Sequence, residues 1–538
     1  MKKTILSALF LLVISTLSAQ KVFYVNGNSG NDSNSGLRWS SAFQNLQQAI
    51  DTAEAGDTIN VSAGKYLPAK KITDKYGGNT YPETLTGDRH KTFLFNKNLK
   101  VFGGYPANAT DLTTLADRNW TDNETILSGD FNNDDGADFT NMDENALHII
   151  VMKDVTRDMV LDGFVITNGG SSDSATVYYN GAPIQYSCGG GIYAISNTES
   201  SPTLANLIFK NNKVSANGAA FYNYSNGKSA PELLNVQMLH NMSGERGGAF
   251  YIDGNDTGPD IINSIFAGNS TPAQGGAILC VGNNVQPRLY GVLLSGNRAK
   301  EGGGAYIIAL GGDVSPDIIN CTISGNIAGN DGFGGGIVIN AGVGEANPAF
   351  RNTVIWGNDG GQYPDFYVHG STGTNPDYEG NLIEGEELGG TNLSGATIPL
   401  FVSSVDAKTA PTVAGNYRLQ ENSPLIDKGS QIYFTDIPNV DLDGNPRVYN
   451  TGIDIGAYEY QGTSGNEVVN SGHSIWSSGK TLHVSVQSGH STLKIHSLSG
   501  QLIRQVNNLS IGYHEFILSD GLYIVTLNGK EYYKISIR

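Results

Sequence analysis

Six prolines stand at positions 202, 231, 259, 287, 316 and 348, and ten residues beyond each comes an asparagine: Asn212, Asn241, Asn269, Asn297, Asn326 and Asn358. A second asparagine follows the proline by four residues in five copies, as Asn206, Asn235, Asn263, Asn320 and Asn352, with Gly291 in the remaining one. Small-residue clusters lead into apolar runs at the same interval: GGGIY from Gly189, GAAFY from Gly218, GGAFY from Gly247, GGAIL from Gly275, GGGAY from Gly302 and GGGIV from Gly334. A period near 28 residues is too short for a propeller blade, and there is no leucine skeleton of the kind a leucine-rich repeat needs. What remains is a β-solenoid. Short strands separated by bends carry the chain round one circuit, and each circuit pairs in parallel with the next about 4.8 Å away. Equivalent side chains then stack. An inward asparagine at a bend can satisfy its amide on the circuits above and below. The series Asn206, Asn235, Asn263, Asn320 and Asn352 is expected to form that inward ladder. Asp162 and Asn168 are expected to mark an earlier, degenerate coil, and Gly169 to Ser187 a long loop leaving it.

The chain has 538 residues, more than one hydrophobic core serves, and a net charge of −18 that argues against nucleic acid and anionic membranes as partners. Cys188, Cys280 and Cys321 make no disulfide framework or zinc spacing and read as buried small apolar residues. Lys2 and Lys3, the apolar run Ile5 to Leu17 and then Ser18, Ala19 and Gln20 read as a signal peptide over 1–20, cleaved after Ala19 or Gln20. The run is too short for a membrane anchor, and no later segment could span a bilayer. Residues 21–150 are expected to hold a cap and the first coils, 151–360 the regular coils, and 361–461 a C-terminal β-helix module. In the cap, a helix from Ser41 to Ala55 is expected to open on a capping box of Ser41 and Gln44 and to bury Phe43, Leu46, Ile50 and Ala53. Thr58 to Val61 then reads as the first strand. Residues 462–465 read as a linker. Alternating strands such as TLHVSV and LYIVTL over 466–538 predict a separate small β-sandwich.

Several segments resemble known families. YVNGNSGNDSNSG…SSAFQNLQQAI…AGDTINVSAGKY resembles the opening of secreted pectate-lyase-like β-helix proteins. SPLIDKGS…DLDGNPRVYNTGIDIGAYEY resembles the choice-of-anchor Q type module. GLYIVTL at 521–527, followed by YYKISIR, is similar to the type A sorting domain of the Bacteroidetes type IX secretion system. FAGN at Phe266–Asn269 with GGAI at Gly275–Ile278 resembles the paired motifs of polymorphic outer-membrane proteins, which are surface adhesins, and FKNN at Phe209–Asn212 is a second copy. Together these imply an all-β chain: a right-handed parallel β-helix with an N-terminal helical cap and a C-terminal sandwich. They further imply export through the outer membrane by the type IX machinery, to the cell surface or the medium, as a monomer without a membrane span.

Strand alternation turns Tyr193, Tyr222, Tyr251 and Tyr306 outward, as an exposed aromatic ladder suited to sugar faces; the plainer reading is β-propensity with local stacking. The residues after the repeat prolines, Glu232, Asp260, Arg288 and Asp317, also face out. Stacked carboxylates with a basic residue are how pectate-lyase-like enzymes gather calcium and remove a proton, and the resemblance makes these four the catalytic candidates. Simple charge pairing explains them equally. In SGDFNNDDGADF, Asp130, Asn132, Asp134 and Asp138 offer hard oxygen ligands for calcium, or a solvated turn; Asp441 and Asp443 in DLDGNPR offer a second such site. His148, His240 and His369 fall in unrelated contexts. Two functions stay open. One is a non-catalytic surface protein binding extracellular polysaccharide or mediating adhesion. The other is a calcium-dependent polysaccharide lyase or glycoside hydrolase acting on acidic glycan.

Overall fold

The computed structural model describes residues 20–538 apart from 73–74, 77–78, 81–86, 172–174, 432–438, 450–451, 463–473, 479–480, 487–490, 498–500, 510–511, 520, 528–530 and 538. The signal-peptide reading and most of the linker lie outside the described residues. Three long sheets run side by side. An eleven-stranded sheet starts at Val22–Val25 and ends at Asp377–Glu379. A ten-stranded sheet runs from Gly64–Tyr66 to Leu382–Ile383. The third, of twelve strands, ends at Phe366–Gly370. Each circuit contributes one strand to each sheet, and almost every pairing is parallel and in register. Leu204 lies beside Leu233, Leu233 beside Ile261, and Ile261 beside Leu289. The fold is a right-handed parallel β-helix.

Strands of three to five residues suffice because every second side chain points inward onto its repeat equivalent. Phe209, Met238, Phe266, Leu294 and Ile323 make one such column, all fully buried. Phe221 and Phe250 stack with ring centres 5.0 Å apart and planes 4° from parallel.

The inward asparagine ladder exists, but in the other series. Asn212, Asn241, Asn269, Asn297, Asn326 and Asn358 are all buried. The backbone N–H and the side-chain amide of each donate to the Oδ1 of the next, at 3.0–3.1 Å from Asn212 to Asn241 and 2.9–3.0 Å from Asn269 to Asn297. Each amide also donates to a carbonyl of the preceding coil, as Asn269 does to Met238 O at 2.8 Å. The last rung, Asn358, donates to Asp365 Oδ1 at 2.9 Å.

The expected inward residues Asn206, Asn235, Asn263, Asn320 and Asn352 occupy a bend with φ between 44° and 53°. That left-handed backbone turns their amides outward. Asn263 reaches the carbonyls of Val440 and Asp441, and Asn320 that of Asp454. Gly291 fits there because glycine adopts this conformation at no steric cost. In the earlier coil Asp162 pairs with Ala205 and Thr167 with Lys210, so Gly163 and Gly169, rather than Asp162 and Asn168, hold the two positions.

The N-terminal end is closed by a helix of seven residues, Leu46–Thr52. Phe43, Leu46, Ile50 and Ala53 are buried as expected, but the Ser41–Gln44 capping box does not form. Asp32 takes its place, accepting the N–H groups of Gln44 and Asn45 at 2.9 and 2.8 Å. The first strand is Val22–Val25, which pairs with Thr58–Val61.

At the other end, coils continue only to Ile383. The rest of the expected β-helix module folds back over the outside of the ten-stranded sheet, where Phe401, Tyr417, Leu425 and Ile455 pack on Leu293 and Val354. Arg447 is buried there and donates to the carbonyls of Gly456 and Ala457. Beyond it, sheets of three and four antiparallel strands enclose Ile475, Leu482, Val484, Leu493, Ile495 and Val525, a small sandwich with its own core.

Asn269→Gly should destabilise the protein by about 2–3 kcal/mol, because it strips the acceptor from two buried donors of Asn241 and removes the amide donated to Met238 O. Asn263→Gly, at a bend glycine tolerates, should cost under about 1 kcal/mol. Urea melts of the two variants decide it, and equal losses would contradict the assignment of the ladder. Burial, with repulsion from Glu384 and Glu386, pushes the Asp365 carboxyl up to about 7. The folded chain therefore holds a proton that the unfolded chain releases near pH 4, so this group's contribution falls as pH rises from about 4 to 7. Asp365→Asn keeps an acceptor for Asn358. It should raise stability at pH 8 by on the order of 2–4 kcal/mol and change little at pH 4. Urea melts at the two pH values would show no difference between them if Asp365 titrates normally.

Candidate functional site

Parallel pairing places Glu232 beside Asp260, Asp260 beside Arg288, and Arg288 beside Asp317, so the four catalytic candidates do meet on the outer face of the eleven-stranded sheet. They are not an open carboxylate row. Glu232 and Asp260 are buried. Arg157, from the bend between Ile150–Lys153 and Val160–Asp162, lies over both. Its guanidinium is 3.8 Å from Glu232 and 2.6 Å from Asp260, and Arg288 grips Asp260 from the other side. Burial alone would raise the Asp260 carboxyl, but Arg288 and then Arg157 hold it below its usual range. A carboxylate satisfied in this way has little capacity left for a metal or a substrate proton. Arg157 lies outside the repeat, and no spacing in the sequence points to it.

The tyrosines stack as expected: Tyr193 to Tyr222 at 5.0 Å and Tyr222 to Tyr251 at 5.1 Å between ring centres. They are not exposed. Tyr193, Tyr222, Tyr251 and Tyr306 keep between 2 and 9% of their surface and belong to a second apolar cluster outside the barrel. The loop after Gly169 forms a hairpin, Thr176–Tyr179 with Ala182–Gln185, whose Val177 and Ile184 join that cluster, and the Tyr193 hydroxyl donates to Pro183 O. Buried to this degree, the four rings have no open face to offer a sugar.

The acidic loop is where functional groups converge. Oxygens of Asp130, Asp134, Asp135 and Glu144 all lie within 4.8 Å of one another. Asp130 and Asp134 are two of the four expected ligands. Asn132 is exposed and Asp138 faces the adjoining groove, while Asp135 and Glu144 join the other two. Glu144 lies beyond the motif, and only the chain's return brings it in.

Burial, then the neighbouring carboxylates, raise both the Asp135 and the Glu144 carboxyl. Asp135 Oδ1, Glu144 Oε1 and Asn145 Oδ1 are buried without a hydrogen-bond donor. One cation is already near: Lys65 Nζ stands 3.6 Å from Asp130. Asp130 Oδ1 already accepts the N–H groups of Asn133 and Asp134, but the donorless oxygens of Asp135 and Glu144 beside it fit a hard divalent cation such as calcium, which takes six to eight oxygens at about 2.3–2.6 Å. By contrast, Asp441 is buried and consumed by its own turn, accepting the N–H groups of Asp443, Asn445 and Glu459, while Arg418 pairs with Asp443.

Beside the cluster lies an open groove of about 440 Å³, lined by Asp135, Asp138, Phe139, Asn168, Asn211 and His240 among others. Phe139 stacks on His240 at 4.8 Å, with Lys213 Nζ 5.6 Å from the centre of its ring. Phe139 has φ 60°, a backbone that bulky residues rarely adopt. His240 also has positive φ and occupies a bend held by Asn168 and Asn211 in the preceding coils and by Gly268, Gly296, Gly325 and Gly357 in the following ones. The sequence carries this signal as a dipeptide ending in the ladder asparagine, in which His240 alone is neither asparagine nor glycine. His240 Nδ1 lies 3.0 Å from Asn211 Oδ1; with that oxygen as acceptor, Nδ1 carries the proton and Nε2 is the basic nitrogen.

Residues 263–281 match the Chlamydia polymorphic membrane protein (Chlamydia_PMP) repeat, a stretch that includes FAGN and GGAI. Among solved structures, the crystal structure of pectate lyase Pel9A is similar over 82% of this chain and 97% of that one, at 17% identity and a TM-score of 0.38. No curated protein matches the chain.

Arg157→Ala should cost about 3–5 kcal/mol in a urea melt, because it leaves Glu232 and Asp260 buried and undercompensated. A loss below about 1 kcal/mol would mean that this charge column is solvated and available after all.

Proposed function

We propose that this chain is an exported β-helix protein that binds acidic extracellular polysaccharide in the groove beside Asp130, Asp134, Asp135 and Glu144, with a calcium ion linking those carboxylates to the glycan's own. The convergence of four carboxylates, with buried unpaired oxygens, next to an aromatic-floored groove carries the reading. Phe139 and His240 would pack against the sugar, and Lys213 would neutralise a second uronate. Net charge −18 otherwise repels an acidic glycan, which makes a bridging cation a requirement rather than an accessory. The Lys2–Lys3 leader and GLYIVTL support export through the type IX machinery to the cell surface, where calcium is plentiful. Antibody labelling of intact cells checks that location, and a purely intracellular protein would refute it.

A second reading, a lyase, rests on His240. Its Nε2 stands in the groove wall beside the cluster, a group of the kind that takes the proton α to a uronate carboxylate.

Calorimetric titration of the full chain with calcium, then with polygalacturonate or alginate oligomers, tests both. Calcium should bind, and glycan should bind only with calcium present. Asp135→Asn with Glu144→Gln should weaken calcium about tenfold or more and abolish glycan binding. Absorbance at 235 nm should stay flat. A rise that disappears in His240→Ala would replace binding by the lyase, and failure of both glycans to bind with calcium would reject the groove.

A further inference from the structure

The stacked tyrosine column runs Tyr193, Tyr222, Tyr251, Leu279, Tyr306, Val338 and Tyr367 in successive coils. Its first members are covered, but its last is not. Val338 interrupts the stack, so Tyr367 has no tyrosine in the coil before it. Phe333 stacks on it instead, with ring centres 5.1 Å apart and planes at 22°. Tyr363 joins them, 5.1 Å from Tyr367 and 6.4 Å from Phe333. His369 lies parallel to Tyr367 within 7°, at 6.1 Å. Tyr363 is 57% exposed, Tyr367 and Phe333 are half-buried, and His369 is exposed. Four rings thus meet at the surface of the final coils.

We propose that these four rings form a platform that binds the apolar face of an uncharged hexose- or pentose-based polysaccharide, a site separate from the acidic groove. The backbone gives the first argument. Tyr363 has φ 52°, a conformation that a bulky side chain pays for and that Gly334 adopts in the coil before, with φ 58°. The Tyr363 ring packs on Tyr367 and Phe333 yet stays largely exposed where glycine would be unstrained, and strain of this kind concentrates at binding positions.

The chemistry of the occupant follows from the surroundings. Rings with polar tips match a pyranose, which has C–H groups on its faces and hydroxyls at its rim. Asn330 and Gln362, both exposed, flank the rings as neutral hydrogen-bonding groups. Among the described ion pairs and cation–ring contacts, none brings a lysine or arginine to these four rings, so the contacts they offer are apolar and hydrogen-bonding ones. A patch of four partly covered rings is also far smaller than the roughly 800 Å² per partner that a stable protein interface buries. Counted along the solenoid, the platform lies three to four coils beyond His240, roughly 15–19 Å at the coil spacing.

The test is affinity electrophoresis and calorimetry of the full chain with cellohexaose, xylohexaose and mannohexaose, in EDTA and moderate salt, which disable the cation groove. At least one should bind. Tyr363→Gly should weaken that binding about tenfold or more, while its urea midpoint stays the same or rises because the left-handed strain is gone. Tyr363→Phe, which keeps the ring, should bind within about threefold of the parent. The proposal is overturned if none of the three sugars binds, or if Tyr363→Gly and Tyr367→Ala both bind like the parent. It is equally overturned if ultracentrifugation shows Tyr363-dependent self-association with no sugar binding. None of these outcomes touches the acidic groove, which is silent in EDTA.

Discussion

Everything else in the solenoid rests on one hydrogen-bonding arrangement, the amide chain from Asn212 to Asn358. Beyond Asn212, each Oδ1 accepts two donors from the coil before it, and each Nδ2 donates both forward and back. A bend in the interior leaves backbone groups with no partner in any sheet, and burying them unpaired would cost more than the coil gains. The ladder satisfies them without water, which lets the bend be tight and the sheets on either side stay in register. The apolar columns, the phenylalanine stack and the in-register charges all inherit their alignment from it.

The repeat was legible because it is a period, and a period survives any uncertainty about where side chains point. Orientation was less so. The two asparagine series look equivalent in the sequence, and both lie at bends. Positive φ at Asn206 and its equivalents turns that amide out, whereas the second series turns in, and no property of the residue itself distinguishes them. Burial of the tyrosines failed for a related reason. Alternation correctly turned Tyr193 and Tyr222 away from the barrel interior, but outward from a barrel is not exposed when a hairpin at 176–185 lies across it. The charge column was found, and its neutralisation was not, since Arg157 comes from an irregular bend. In the acidic loop, Asp130 and Asp134 were readable from the local motif; Glu144 was not, because a cluster closed by the chain's return has no fixed spacing.

Phe139 and Tyr363 share a property that the repeat makes visible only in three dimensions. Both are aromatic, both have positive φ, and both lie at places where the solenoid surface is open. The β-helix supplies glycine freely at its bends, with 69 in the chain. An aromatic residue in such a backbone is therefore a departure from the scaffold's own habit, and the rigid coils on either side are what hold it there.

The ladder also has a direction, and this makes the two ends of the solenoid unequal. Every rung sends its backbone N–H and one amide hydrogen toward the C-terminus and its other amide hydrogen back. A break on the C-terminal side of a rung leaves a buried N–H and one amide hydrogen without acceptors, whereas a break on the N-terminal side leaves one amide hydrogen and an oxygen, and proteins tolerate a bare oxygen better than an orphaned donor. Asp365 meets the final donors with a carboxylate, a group that ends the chain of amides because, once ionised, it accepts and has nothing to pass on. The stack behaves like a zipper with its stop at one end. A single short helix closes the beginning of the solenoid, whereas at its end the chain has folded back and fastened itself along the outside.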